Sequence, residues 1–217
     1  MKNPKEVDLI IFDLDGTLID SKKDIVNSVN STLKSLRLKM KPDKTIAGFI
    51  GYGVKGLIRD SLGKENAYLL ERALKIYEED YNKHMFDTSR PYPGVLEALK
   101  YFSKKSKAII TNKKKRFAKA QLERFGINRY FDEIVGGDDE TCLKPSPCQP
   151  EAILKKYKVN PERSILVGDM DFDIASGKQA NMLTCGVIYG IGAKEAILKA
   201  KPDFVIDDIS ELKDIIK

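Results

Sequence analysis

Histidine, cysteine and long apolar runs are all scarce in this chain. Its single histidine, His84, would have to carry any Ser-His-Asp triad or two-histidine metal site. The neighbours Lys83, Met85 and Phe86 suggest a helix end instead. The cysteines Cys142, Cys148 and Cys185 are odd in number and no pair is spaced Cys-x-x-Cys, which argues against disulfides and against a structural zinc site. No stretch approaches the roughly 20 apolar residues of a membrane span. Met1 to Asp8 lacks the hydrophobic region of a signal peptide, so a cytoplasmic protein without a membrane partner is expected.

What is present fits a globular chain. Hydrophobic residues make up 42% and charged residues 32% of 217 positions, enough to bury one large domain or a core carrying a smaller inserted one. The formal charge of +6 admits a nucleic-acid partner or attraction of a small anionic substrate. Lysines are spread along the chain and mixed with acids, the pattern of a solvated surface, so no nucleic-acid partner is expected. The densest run, Lys113-Lys114-Lys115-Arg116, is short.

The run Leu9-Ile10-Ile11-Phe12 reads as a strand buried on both faces, and Asp13-Leu14-Asp15-Gly16-Thr17 follows where it ends. Alternation points Asp13 and Asp15 to one side while the extended backbone lasts. Two carboxylates so close need a cation or a shared proton, and a hard divalent ion such as Mg2+ would relieve their repulsion.

From Lys22 to about Leu38 the residues Ile25, Val29, Leu33 and Leu36 recur at helical spacing, with Asp20 and Ser21 as capping oxygens. Further helical patterns run through Ile46, Phe49 and Ile50, then Val54, Leu57 and Ile58, then from about Glu65 to Met85, without a convincing strand. Pro91-Tyr92-Pro93-Gly94 closes this segment as a rigid linker. Beyond it, short apolar runs (107–111, 133–135, 164–168, 184–188 and 204–206) alternate with helices near 94–102, 114–125, 149–157 and 174–179. The expected fold class is α/β: a Rossmann-like parallel-sheet core, residues 1–18 and 91–217, with an inserted all-helical cap, residues 19–90.

Polar residues gather where those strands end. Thr111-Asn112 follows one strand and offers either an N-cap for the next helix or a hydroxyl for a phosphoryl oxygen, beside amides of the helix start. Lys144 precedes two closely spaced prolines, Pro145 and Pro147, which can present its ammonium in a fixed place. Gly168-Asp169-Met170-Asp171-Phe172-Asp173 follows another strand, with Asp171 expected at the surface. In the helical segment, Gly51-Tyr52-Gly53 reads either as a break or as a turn approaching a ligand, with Lys55 available for a carboxylate.

Taken in order, Asp13-x-Asp15-x-Thr17, Thr111-Asn112-Lys113, Lys144-Pro145 and Gly168-Asp169-x-x-x-Asp173 resemble the four motifs of the haloacid dehalogenase-like phosphatases. The Phe49-x-Gly51-x-Gly53 stretch is similar to phosphoglycolate phosphatases. The resemblance implies a Mg2+-dependent phosphate monoester hydrolase working through a phosphoaspartate. Asp13 would be the nucleophile and Asp15 the general acid and base, with Thr111 and Lys144 completing the catalytic set. Asp13, Asp169 and the backbone carbonyl of Asp15 would hold Mg2+, and Asp173 would orient the surroundings. Thr17, Asn112, Gly51, Gly53 and Lys55 would contact a small phosphorylated metabolite.

The favoured substrate is 2-phosphoglycolate, ahead of pyrophosphate, a nucleotide or a hexose phosphate; related beta-phosphoglucomutases share the core but transfer the phosphoryl group. A dehalogenase would need neither Asp15 nor Mg2+. A receiver-like signalling module is opposed by the helical insertion and by the Gly-Asp-x-x-x-Asp stretch. A monomer or homodimer is expected. After the fourth motif's helix this chain has Ala180-Asn181 where related proteins often have Ala-Gly, and asparagine also tolerates a left-handed helix terminus.

Overall fold

The computed structural model describes residues 4–217. Strand β1 (Leu9–Phe12) leads into the two-residue strand β2 (Ile19–Asp20), then helices α1 (Lys22–Ser35), α2 (Asp43–Ala47), α3 (Gly53–Leu62) and α4 (Leu70–His84). The return strand β3 (Arg90–Pro91) precedes α5 (Val95–Tyr101), β4 (Ser106–Ile110), α6 (Lys115–Arg124) and β5 (Glu133–Val135). Next come α7 (Cys148–Tyr157), β6 (Ser164–Gly168), α8 (Asp171–Gln179) and β7 (Leu183–Val187). The chain ends with α9 (Lys194–Lys199), β8 (Phe204–Ile206) and α10 (Leu212–Ile215).

Six of these strands form a parallel sheet in the order β5-β4-β1-β6-β7-β8. The burial of β1 explains its central place. Ile10 and Phe12 point into one hydrophobic cluster, Leu9 and Ile11 into another on the opposite face. Ile165 and Val167 of β6 divide from Leu166 in the same way. Period-two alternation between two covered faces is what a strand sandwiched by helices requires. On leaving β1 the sheet order runs to β4 on one side and β6 on the other, so a crevice opens at the carboxyl end of β1.

The four helices between β2 and β3 enclose a cluster of their own. Ile25, Val26, Val29 and Leu33 of α1 pack with Leu57, Ile58 and Leu62 of α3 and with Ala73, Tyr77 and Tyr81 of α4. Each fully buried aliphatic side chain here stabilises by about 1.5–3 kcal/mol. The α1 pattern stops where Arg37 turns left-handed (φ 59) and the Leu38 amide reaches back to the Leu33 carbonyl. Phe117 of α6 joins the same cluster, so the helical unit rests on the sheet domain.

The two crossings between these parts pair as a short antiparallel ribbon, Ile19 with Pro91 and Asp20 with Arg90. Asp24 of α1, 1% exposed, fastens the return crossing by accepting hydrogen bonds from the amides and hydroxyls of Thr88 and Ser89. Burial opposes its charge, but these donors hold its carboxyl below the usual aspartate range. Asp24→Ala is expected to lower unfolding free energy by about 3 kcal/mol, measured by urea denaturation. Because the folded pKa is depressed, the contribution is present above about pH 4 and is lost as pH falls through the folded value.

Several sequence expectations change. Cys142 and Cys148 form a disulfide, where none was expected, while Cys185 stays free and buried on β7. The turn that closes with Ser146 N donating to Leu143 O brings the two Cα atoms to 5.4 Å. Ser21 stands at the start of α1 but makes no side-chain cap. Thr111 is no N-cap either, because α6 begins four residues later and its Lys115 amide donates to Asp138 at 2.9 Å. His84 ends α4, exposed, beside Asp87. Asn181 takes the left-handed conformation (φ 57), and Asp171 is exposed. Among the described residues no helix is long and apolar enough to cross a membrane.

Candidate active site

Asp13 begins where β1 ends, its amide held by the Val167 carbonyl of the neighbouring β6 at 2.9 Å. The chain then turns through Gly16 at φ 90, where any Cβ would collide with the Asp169 carboxylate. Only glycine lets the loop after β1 pass so close to the loop after β6.

Lys144 crosses from the β5–α7 connection with its side chain fully enclosed. Its Nζ lies 2.5 Å from Asp13 Oδ1, 2.6 Å from Asp173 Oδ1 and 3.0 Å from the Ile110 carbonyl. Burial works against this ammonium, yet Asp13 and Asp173 outweigh it and hold its pKa above the ordinary lysine value. The other oxygen of Asp173 accepts from the Met170 amide at 2.9 Å. Asp169 is equally enclosed: Oδ1 accepts from Thr17 Oγ1 at 2.9 Å, and Oδ2 from the amides of Ile191 and Gly192 at 2.8 and 3.1 Å.

The charge balance of this cluster is uneven. Asp13, Asp169 and Asp173 bring oxygens within 4.8 Å of one another, all buried, against the single ammonium of Lys144. Burial, above all, with repulsion from Asp173 and Asp169, pushes Asp13 well above its usual range despite Lys144. Burial and Asp173 raise Asp169 as well, against its three donors. Both oxygens of Asp173 are committed, whereas Asp13 Oδ2 and the Asp15 carbonyl carry no hydrogen bond among the described residues. A buried all-oxygen donor set with excess negative charge fits a hard divalent cation, held by Asp13, Asp169 and the Asp15 carbonyl.

The remaining residues singled out in the sequence divide. Thr111, 2% exposed, lines the cavity with Asp13 and Asp15, and its Oγ1 accepts from the Lys113 amide at 3.2 Å. Thr17, expected to contact substrate, is fully buried and does not line the cavity; its hydroxyl donates to Asp169 instead. Asn112 ties three segments together: Nδ2 donates to the carbonyls of Gly51 and Lys144, and Oδ1 accepts from the Lys144 amide. Gly51, at φ 106, and Gly53 both line the cavity. A Cβ on Gly51 would clash with the Phe172 ring, so glycine here permits the helical unit to seat on the loop after β6. Lys55 is a correction: it pairs with Glu140 at 2.9 Å on the exterior and does not line the cavity.

Lys113, which the sequence reading placed in the second motif without a role, has one in the fold. It belongs to a run of four cations that looks solvated, yet its ammonium is buried beside Asp15 at 2.6 Å. Burial lowers its pKa, with Asp15 pulling the other way. Ser21 also donates to Asp15 Oδ1, at 2.5 Å. The cavity itself is small, about 60 Å3, and apart from these polar groups its walls are apolar, with Ile25, Leu57, Tyr77 and Phe117 among them.

Comparison with known proteins agrees with this geometry. The haloacid dehalogenase-like hydrolase family matches residues 10–187, which hold all four motifs. A phosphoglycolate phosphatase of Haemophilus influenzae is 34% identical, covering 96% of this chain and 97% of its own length. Another of that name, from Vibrio cholerae, is 30% identical with 98% of both covered. A crystal structure described as a predicted phosphoglycolate phosphatase from Haemophilus somnus superimposes with a TM-score of 0.87 over 96% of this chain and 97% of its own, at 29% identity. The chain therefore belongs to the haloacid dehalogenase-like hydrolases.

Proposed function

We propose that the protein is a Mg2+-dependent phosphate monoester hydrolase that passes the phosphoryl group through Asp13, and that its substrate is 2-phosphoglycolate. The observation that carries the first part is Asp13 itself: a carboxylate at the end of the central strand, gripped by the buried Lys144 and facing a half-open cavity. Asp15, two residues on, lines the same cavity.

When bound, Mg2+ supplies charge neutralisation for the carboxylates and for the phosphoryl oxygens. The chain's own residues do the rest. Asp13 attacks phosphorus while Asp15 protonates the departing alkoxide; Asp15 then takes a proton from the water that cleaves the acyl phosphate. Lys144 and the Thr111 hydroxyl meet the negative oxygens of the transferred group. Residues 19–90 act as a cap that excludes bulk water, with Gly51, Gly53 and Asn112 seating it against the core.

The charge of the cavity supports the substrate. Of the cavity's cations, Lys113 and Lys114, the second shares its counterion Glu78 with Arg116, which leaves positive charge for a substrate carboxylate. The names borne by the Haemophilus and Vibrio relatives point the same way. We place the reaction in the cytoplasm. The test is a panel of 2-phosphoglycolate, pyrophosphate, nucleoside monophosphates and hexose phosphates with and without Mg2+. The highest kcat/KM is expected for 2-phosphoglycolate with Mg2+; preference for any other member would reject the substrate.

A further inference from the structure

Lys113 has no step in the reaction just described, yet it is among the best enclosed cations of the chain, its side chain 6% exposed. Its ammonium reaches Asp15 Oδ1 at 2.6 Å, Tyr81 Oη at 2.8 Å and Gln121 Oε1 at 2.7 Å. A lysine ammonium has three donors, and all three are spent on protein partners. Such a group is built to hold something still.

What it holds is one particular oxygen. Ser21 Oγ donates to the same Asp15 Oδ1, and no hydrogen bond reaches Oδ2 among the described residues. The partners come from four places: Ser21 between β2 and α1, Tyr81 on α4, Lys113 after β4 and Gln121 on α6. Tyr81 is fully buried, stacked on Tyr77 at 5.5 Å and edge-on to Phe117 at 5.2 Å, so its hydroxyl has little freedom. Lys113 lies over the same ring, 5.0 Å from its centre.

We propose that Lys113 and Ser21 are positioning residues that clamp Asp15 by Oδ1, leaving Oδ2 as the atom that exchanges the catalytic proton, and that Tyr81 completes the clamp only when the helical unit is seated. The proposal rests on the reading of Asp13 as nucleophile and Asp15 as acid and base. In the first transfer the Asp13–phosphorus bond forms, the bond from phosphorus to the leaving oxygen breaks, and the Oδ2 proton moves to that oxygen. In the second, water oxygen bonds to phosphorus, the Asp13–phosphorus bond breaks, and a water proton returns to Oδ2. Oδ1 accepts hydrogen bonds whether Asp15 is a carboxylic acid or a carboxylate, so the clamp holds through both transfers. With Tyr81 on the helical unit and Lys113 on the core, a lifted cap would release Lys113 from one of its three partners. Proton delivery would thus be tied to closure.

The test compares ethyl phosphate with trifluoroethyl phosphate, whose better leaving group needs less acid assistance and which, like ethyl phosphate, carries no carboxylate. In Lys113→Met, kcat/KM for ethyl phosphate is expected to fall about 100-fold and that for trifluoroethyl phosphate about tenfold or less. KM for 2-phosphoglycolate is expected to stay within about threefold while kcat falls. Tyr81→Phe, which keeps the ring, and Ser21→Ala are expected to show the same bias at about five- to tenfold, and they carry the comparison should Lys113→Met not fold. Equal losses on the two ethyl esters would overturn the clamp. So would a raised KM for 2-phosphoglycolate with kcat intact, which would make Lys113 a receptor for the substrate carboxylate. Wild-type protein that hydrolyses none of the three esters removes the underlying reading; wild-type turnover with no leaving-group bias in any variant removes the clamp alone.

Discussion

Asp13→Asn is expected to abolish turnover, with kcat at least about 10⁴-fold lower, because the amide lacks the nucleophilic oxygen that receives the phosphoryl group. The same change should leave the metal-free protein at least as resistant to heat. Burial, with Asp169 and Asp173 nearby, disfavours a charge on Asp13, so a neutral isostere relieves repulsion that Lys144 only partly offsets. Activity assays with Mg2+ beside thermal melts without it separate loss of chemistry from loss of fold. A variant that melts normally and still hydrolyses the substrate at the wild-type rate rules Asp13 out.

Lys144→Met acts in the opposite sense on stability. It strips the only cation from between Asp13 and Asp173, at 2.5 and 2.6 Å, and leaves two buried carboxylates facing one another. Breaking a buried pair from one side costs about 3–5 kcal/mol. A fall of that size in unfolding free energy is expected from denaturant titration of the metal-free protein. Activity should be lost as well, since a phosphoryl oxygen loses its counterion and Asp13 its partner. If Lys144→Met instead matched the wild type in stability, the carboxylates would have to be neutral in the resting protein.

Asp13 and Asp169 were legible because strand ends can be read. The apolar run before Asp13 and the run before Asp169 have no alternative to burial, and a parallel sheet brings their carboxyl ends to one edge. The amphipathic repeats of α1 and α4 were equally plain, since one face of each must close on the other. The ribbon of β2 and β3 was not, because two residues carry no periodicity and only the meeting of distant segments makes them a pair. Helix α9 is six residues long with one buried side chain, Ile197, too little pattern to stand out.

Lysines mark the limit most clearly. Lys55 and Lys113 look alike as letters, one beside a pair of glycines, the other in a basic run. Lys55 is drawn outward by Glu140, whereas Lys113 is drawn inward by an aspartate, a tyrosine and a glutamine from three separate elements. Which lysine is worth burying depends on partners that only the folded chain assembles. The disulfide is a similar case: parity argued against it, but the turn at Leu143–Ser146 is what brings Cys142 to Cys148.

The stereochemical course at phosphorus tests the central claim most directly, and it does so whether or not an intermediate accumulates. A phosphorothioate monoester made chiral with oxygen isotopes is hydrolysed in labelled water and the configuration of the product determined. Two successive in-line displacements, first onto Asp13 and then onto water, predict retention. Inversion would mean a single direct attack by water, with Asp13 never bonded to phosphorus.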